Sequence, residues 1–133
     1  MNEISIMKVE LFTLCDYVSN HNGHLTIIDT FETIEADKFP WRSYFGVALK
    51  VHLSNPQSEV LKLNIYIHKD GNLERNFNAT QEMTVQDAHK MVMAGNIKGL
   101  IFDAPGIYHF KVSLEERQIV DYTFSVKQTG KEK

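Results

Sequence analysis

Cys15 followed by Asp16 is the pair with the most consequential chemistry in this chain. A thiolate is a strong nucleophile once a neighbouring group lowers its pKa. Adjacent residues of a strand point to opposite faces, however, so Asp16 is badly placed to activate Cys15. No nucleophile motif surrounds the cysteine, and an unpaired thiol in an apolar segment behaves as a small hydrophobe. The expectation is a buried structural residue. With one cysteine in the chain, no intramolecular disulfide can form.

Six histidines raise the question of a metal. His21-x-x-His24 has a chelating spacing but brackets the turn dipeptide Asn22-Gly23, and a zinc site needs a third and usually a fourth ligand. His52 and His68 fall at opposite ends of their strands. His68 and His109 meet only if their strands are neighbours. Histidines on the wet face of a sheet need no ligand role, so no metal or other cofactor is expected. The grouped carboxylates Glu32, Glu35 and Asp37, and Glu115 with Glu116, read as solvated loop or edge charges rather than a glycosidase pair. There is no glycine-rich phosphate loop, nucleophile elbow or dinucleotide fingerprint. The chain is not expected to be an enzyme.

One aromatic patch stands outside the clean strands: Phe39, Pro40, Trp41 and Tyr44. Such a loop at the end of a sandwich can hold a partner or a sugar, which makes Phe39, Trp41 and Tyr44 the candidate ligand-binding residues. The competing reading is a plug that closes the open end of a core.

The elements that would position these groups are strands. Phe45, Val47, Leu49, Val51 and Leu53 alternate with polar residues, as do Leu61, Leu63, Ile65 and Ile67. With Asn55-Pro56-Gln57-Ser58 between them, the two runs are expected to form an antiparallel hairpin, Leu53 opposite Leu61 and Val47 opposite Ile67. Tyr108, Phe110, Val112 and Leu114 face Val120, Tyr122, Phe124 and Val126 in a second hairpin. Matching faces there pairs Tyr108 with Val126, Phe110 with Phe124 and Val112 with Tyr122, leaving His109, Lys111 and Asp121 outside. Met7 to Val18 alternates and then becomes apolar on both faces. Leu25 to Ile34 returns as a strand, and Asp70-Gly71-Asn72 is a turn. For 83–96, Thr84-x-x-Asp87 resembles a capping box and Ala88, Met91, Val92 and Gly95 fall at helical spacing, which predicts a short helix near 85–95; Met91-Val92-Met93 also suits a strand. Gly106-x-Tyr108 follows a turn and marks a structural corner, where a tyrosine hydroxyl can tie a β-sandwich together.

These signals describe one mostly-β domain over 1–133, with a frayed tail at 128–133. The expected architecture is an antiparallel two-sheet β-sandwich, an eight-stranded barrel being the alternative. The 133 residues carry 43% hydrophobic and 11% aromatic content, enough for a core without staples. Acidic residues outnumber basic ones, 17 to 14, and the basic ones are scattered. That disfavours nucleic acid as a partner. No stretch reads as a membrane span or a secretory leader, so the expected location is cytoplasmic.

Leu14-Cys15-Asp16-Tyr17, Asn22-Gly-His-Leu-Thr-Ile-Ile28 with Phe31, Phe39-Pro40 and Phe102-Asp-Ala-Pro-Gly-Ile-Tyr108 resemble a family of small bacterial proteins of unknown function. The resemblance spans nearly the whole chain and implies an immunoglobulin-like sandwich. It supplies no activity, so it carries over no catalytic or binding residue. The functional expectation is a non-catalytic module acting through protein contacts or self-association. The alternative is a small-molecule or carbohydrate-binding domain using Trp41 and Tyr44.

Overall fold

The computed structural model describes residues 7–22, 24–53, 60–71, 75–85 and 90–129. Nine strands occupy them: β1 (Met7–His21), β2 (His24–Phe31), β3 (Thr33–Ala36), β4 (Trp41–Leu53), β5 (Val60–Lys69), β6 (Arg75–Thr84), β7 (Lys90–Phe102), β8 (Gly106–Leu114) and β9 (Arg117–Gln128). They build two sheets, ordered β2-β1-β4-β7 and β3-β9-β8-β5-β6. The apolar alternation of β4 and of β5, β8 and β9 turns one side of each sheet to a shared core. Phe12 of β1 bridges the layers, its ring centroid 5.3 Å from Phe110 and 5.1 Å from Tyr122. Tilted ring contacts of this sort add to the area they bury.

β4 and β5 do not form a hairpin with each other. β4 lies between β1 and β7, while β5 lies between β6 and β8. Matched apolar faces satisfy two arrangements equally, pairing side by side or stacking across a core, and this pair stacks. The connecting Asn55 to Ser58 lies outside the described residues. The expected helix near 85–95 is absent from its described part, since Lys90–Phe102 is a strand along β4 with Met91 and Met93 in the core. Residues 86–89 lie outside the described residues. Leu25 to Ile34 is interrupted at Glu32, where the chain crosses between sheets, and β3 then runs parallel to β9, so the sandwich is not wholly antiparallel. Gln128 pairs with Ala36 in that ladder, and the Thr129 N–H donates to the Ala36 carbonyl at 2.9 Å.

The closing hairpin forms, but two residues out of the expected register: Tyr108 faces Phe124, Phe110 faces Tyr122 and Val112 faces Val120. The reason is the turn. Glu115 (φ 50°) and Glu116 (φ 70°) both adopt the left-handed conformation, so the loop has two residues, and a bulge follows Val112. Glu115 is also tied to β5: its carboxylate accepts the Lys62 N–H at 2.6 Å.

The four-stranded sheet carries a second, smaller cluster away from the shared core. Cys15, Val18 and Ala48 are buried there, with Leu11, Leu25, Ile27 and Ala94 packed around them. All four strands contribute to it, and one of the two sheets of the domain is a curled half-barrel. This cluster explains why the run from Met7 to Val18 becomes apolar on both faces. Gly46 permits it. A Cβ there would lie 3.0 Å from Asn96 Oδ1 and Val18 Cγ1 and 3.1 Å from Cys15 Sγ. In the space left open, the Asn96 amide reaches past Gly46 to donate to the Val18 carbonyl at 3.1 Å.

Gly106 and Tyr108 form the expected corner. Tyr108 is buried, edge-on to Phe102 at 4.9 Å and stacked on Phe124 at 5.8 Å. Its hydroxyl donates to the Ala104 carbonyl at 2.7 Å. Burial, reinforced by the Asp103 carboxylate, pushes the phenol pKa up against the opposing effect of that bond, so the donor stays protonated.

Two substitutions test these features. Tyr108→Phe keeps the ring and deletes the bond, so urea unfolding should show a loss of about 1 kcal/mol. An unchanged midpoint would show that the hydroxyl holds nothing. Gly46→Ala overpacks the outer cluster and should cost about 1–3 kcal/mol by the same measurement.

Candidate functional site

β1 pairs with β4 only as far as Cys15–Gly46. Beyond that point β1 continues beside β2 as far as His21–His24, while Trp41 to Phe45 of β4 continue beside β7. The strands part, and a cleft of about 410 Å³ opens between them. Asp16 lines one side and Trp41 to Phe45 the other. Phe31, Thr33, Ile34 and Glu35, from the crossing between the sheets, complete its lining.

The base of the cleft is apolar and joined to the core. Phe45 and Ile34 are buried, Trp41 is half-buried against the core, and Phe31 meets Phe45 edge-on at 6.2 Å. Ser43 is the buried polar residue here, and its hydroxyl donates to the Leu100 carbonyl at 2.9 Å. Opposite it, a bulge between Ser43 and Tyr44 accommodates Gly99 (φ 80°), over which the Arg42 guanidinium lies. Asp16, Glu35, Arg42 and Tyr44 are exposed at the rim, Tyr44 at 63%. Flat aromatic surface beside carboxylates and a guanidinium suits a ligand with both an apolar face and hydrogen-bonding groups.

Of the aromatic residues singled out by sequence, Trp41 and Tyr44 meet in this cleft. Trp41 is not in a loop; it is the first residue of β4, opposite Phe102. Phe39, just before a cis peptide bond to Pro40, packs against the core instead. Asp16, Arg42 and Ser43 were not legible as cleft residues. Their only signal is alternation through a region where the pairing partner changes.

Cys15 is fully buried in the outer cluster. Burial raises its thiol pKa, the Tyr17 backbone N–H acts the other way, and the Asp16 charge raises it further. It is a neutral thiol packed as a hydrophobe. His21 and His24 face each other across the turn, both exposed. His68 and His109 do become neighbours. They pair across β5 and β8, and their rings stack at 5.1 Å, with Tyr66 stacked on His68 at 6.5 Å. His109 sits between two carboxylates, Nε2 2.8 Å from Asp70 and Nδ1 3.2 Å from Asp121. This row clasps the turn after β5 to β9. Among the described residues, no three His, Cys, Asp or Glu are grouped to hold a metal ion. Among them, too, no helix is long and apolar enough to cross a membrane.

The chain belongs to a family of unknown function, DUF6941, whose model matches residues 10–127. No curated protein matches it. Among solved structures it is similar in fold to part of a β-glucosidase from Listeria innocua in complex with glucose, at 7% identity and a TM-score of 0.53, covering 91% of this chain and 16% of the other. A Pseudomonas fluorescens alkylpurine DNA glycosylase, AlkC, bound to DNA containing an abasic site analog, matches at 8% identity and a TM-score of 0.48, over 87% of this chain and 30% of the other. The chain thus spans less than a third of either protein.

The burial of Cys15 has a direct consequence. A thiol reagent should label it slowly in the folded protein and rapidly in denaturant. Fast labelling of the native protein near neutral pH would mean that the outer cluster opens or that the thiol is activated.

Proposed function

We propose that this member of the DUF6941 family is a non-catalytic β-sandwich module of the immunoglobulin-like kind, and that it works by binding a ligand in the cleft between β1 and β4. The Tyr108 corner and the parallel run of β3 beside β9 support the immunoglobulin-like reading. One observation carries the functional reading: Trp41 and Tyr44 share a cleft with Asp16, Glu35 and Arg42 at the place where the ladder opens.

The ligand class that fits is a small polar molecule with a flat apolar face, such as a sugar. Its C–H face would lie on an aromatic ring, and its hydroxyls would bond the rim carboxylates and Arg42. The burial of Cys15 in the outer cluster supports a binding role over a catalytic one that would use this thiol. A second reading, a protein partner at the same place, draws support from the exposed cross-strand pair Tyr17 and Ile28, which begins one residue beyond Asp16.

Trp41 is the chain's single tryptophan and therefore a reporter inside the cleft. Titration with a panel of neutral and acidic mono- and oligosaccharides should give a saturable change in its emission with at least one of them. Tyr44→Ala and Asp16→Ala should weaken that response by about tenfold each, the loss of one good contact. If no sugar moves Trp41 emission, the carbohydrate reading fails. If a protein partner is retained equally by wild type and both variants, the cleft is not the binding surface.

A further inference from the structure

We infer that the domain pairs with a second copy of itself through β6, extending the five-stranded sheet continuously across a two-fold axis. Among the described residues, two strands have one side unpaired in each sheet: β2 and β7 in one, β3 and β6 in the other. Proteins guard such edges with shortness, lysine, bulges or kinks. β3 is only four residues long. β2 is kinked at Asp29, which has φ 57°. β7 carries Lys90 and Lys98 and is bulged at Gly99. β6 has its one irregularity at the Arg75 end and none of these devices from Phe77 to Thr84. Arg75–Thr84 contains no lysine, glycine or proline, and its ladder with β5 runs unshifted from Thr84 to Phe77. Among the described residues, its other side pairs with no strand.

The occupant follows from symmetry. A two-fold axis perpendicular to the sheet keeps every residue on its own face only if one residue lies opposite itself. With Thr80 on the axis, the overlap spans 76 to 84, nearly the whole strand. Phe77 then faces the Met83 of the second copy, and the axis repeats that pair. Both side chains are only partly buried against the core of their own chain. Methionine sulfur beside an aromatic ring is a favourable contact, and Thr80 opposite Thr80 is a favourable cross-strand pair. Glu82 falls opposite Asn78, so no like charges meet. Centring on Ala79 sets Phe77 against Gln81 and loses the apolar pair. Centring on Gln81 shortens the overlap. β6 and β3 lie at opposite ends of the sheet, so this contact leaves the cleft beside β3 open and stands independently of the cleft reading.

Thr80 is exposed, which makes it the position to change. Light scattering after size exclusion, from micromolar to several hundred micromolar chain, should show a concentration-dependent dimer. Thr80→Lys and Thr80→Glu each set like charges opposite one another on the axis, and each should weaken the dimer by at least about tenfold. An equimolar mixture of the two should restore a dimer, which a merely misfolded variant would not do. Thr80→Cys should give a covalent dimer on oxidation, since Cys15 is buried. A strictly monomeric wild type, variants as dimeric as wild type, a mixture that stays monomeric, or a Thr80→Cys chain that never crosslinks would each overturn the proposal.

Discussion

The missing side chain at Gly46 lets neighbouring strands of the four-stranded sheet close on one another. Asn96 lies opposite it on β7, and its amide passes beside the bare Cα to hold the Val18 carbonyl of β1, a bond that ties β1 to β7 across β4. Cys15, Val18 and Ala48 are buried together there. At the same place β1 leaves β4, from Cys15 onward. The cleft is the geometric remainder of that divergence. Strands that stayed paired through Tyr17 and Tyr44 would leave no opening between Asp16 and Phe45.

Aromatic rings hold the shared core at two separate places. Phe12 spans from β1 to Phe110 and Tyr122, while Phe102 of β7 meets Tyr108 and Phe124 of the facing sheet. At the second place the Tyr108 hydroxyl also fastens the connection between sheets through Ala104. The first anchors the inner strand β1 of the four-stranded sheet, and the second anchors its β7 edge. Between them, the chain can bend β1 outward without separating the layers.

Much of the fold was legible because burial imposes alternation. The β4, β5, β8 and β9 patterns identified which residues face the core, and Gly106-x-Tyr108 marked the corner. Alternation is silent on a strand's neighbour, however. It could not distinguish β4 stacked over β5 from β4 paired with β5, since Leu53 and Leu61 are core residues in both arrangements. Register in the closing hairpin depended on Glu115 and Glu116 adopting a conformation that neither residue type advertises. Local propensity misled in β7, where Met91, Val92 and Met93 are all buried, and a fully buried strand resembles one face of a helix. The outer cluster explains the most opaque stretch: Leu11, Cys15 and Val18 face a second small core that no periodicity in β1 alone could reveal.

The candidate site was only half legible for a related reason. Trp41 and Tyr44 stand out by residue type and by their closeness in the chain, with no reference to any partner. Asp16, Glu35 and Arg42 are ordinary surface charges until the strands that carry them diverge around a common space. His68, His109, Asp70 and Asp121 show the converse. They are chemically conspicuous, yet the structure engages them with one another across β5, β8 and β9, where they hold a turn to a strand. A reactive residue type is thus a poor guide in this fold. What singles out the cleft is that backbone pairing ends there while the aromatic and charged groups around it remain open to solvent. Edge and cleft therefore raise one physical question, which is where a sheet stops satisfying its own hydrogen bonds. Among the described residues, the outer side of β6 and the gap between β1 and β4 are two such places.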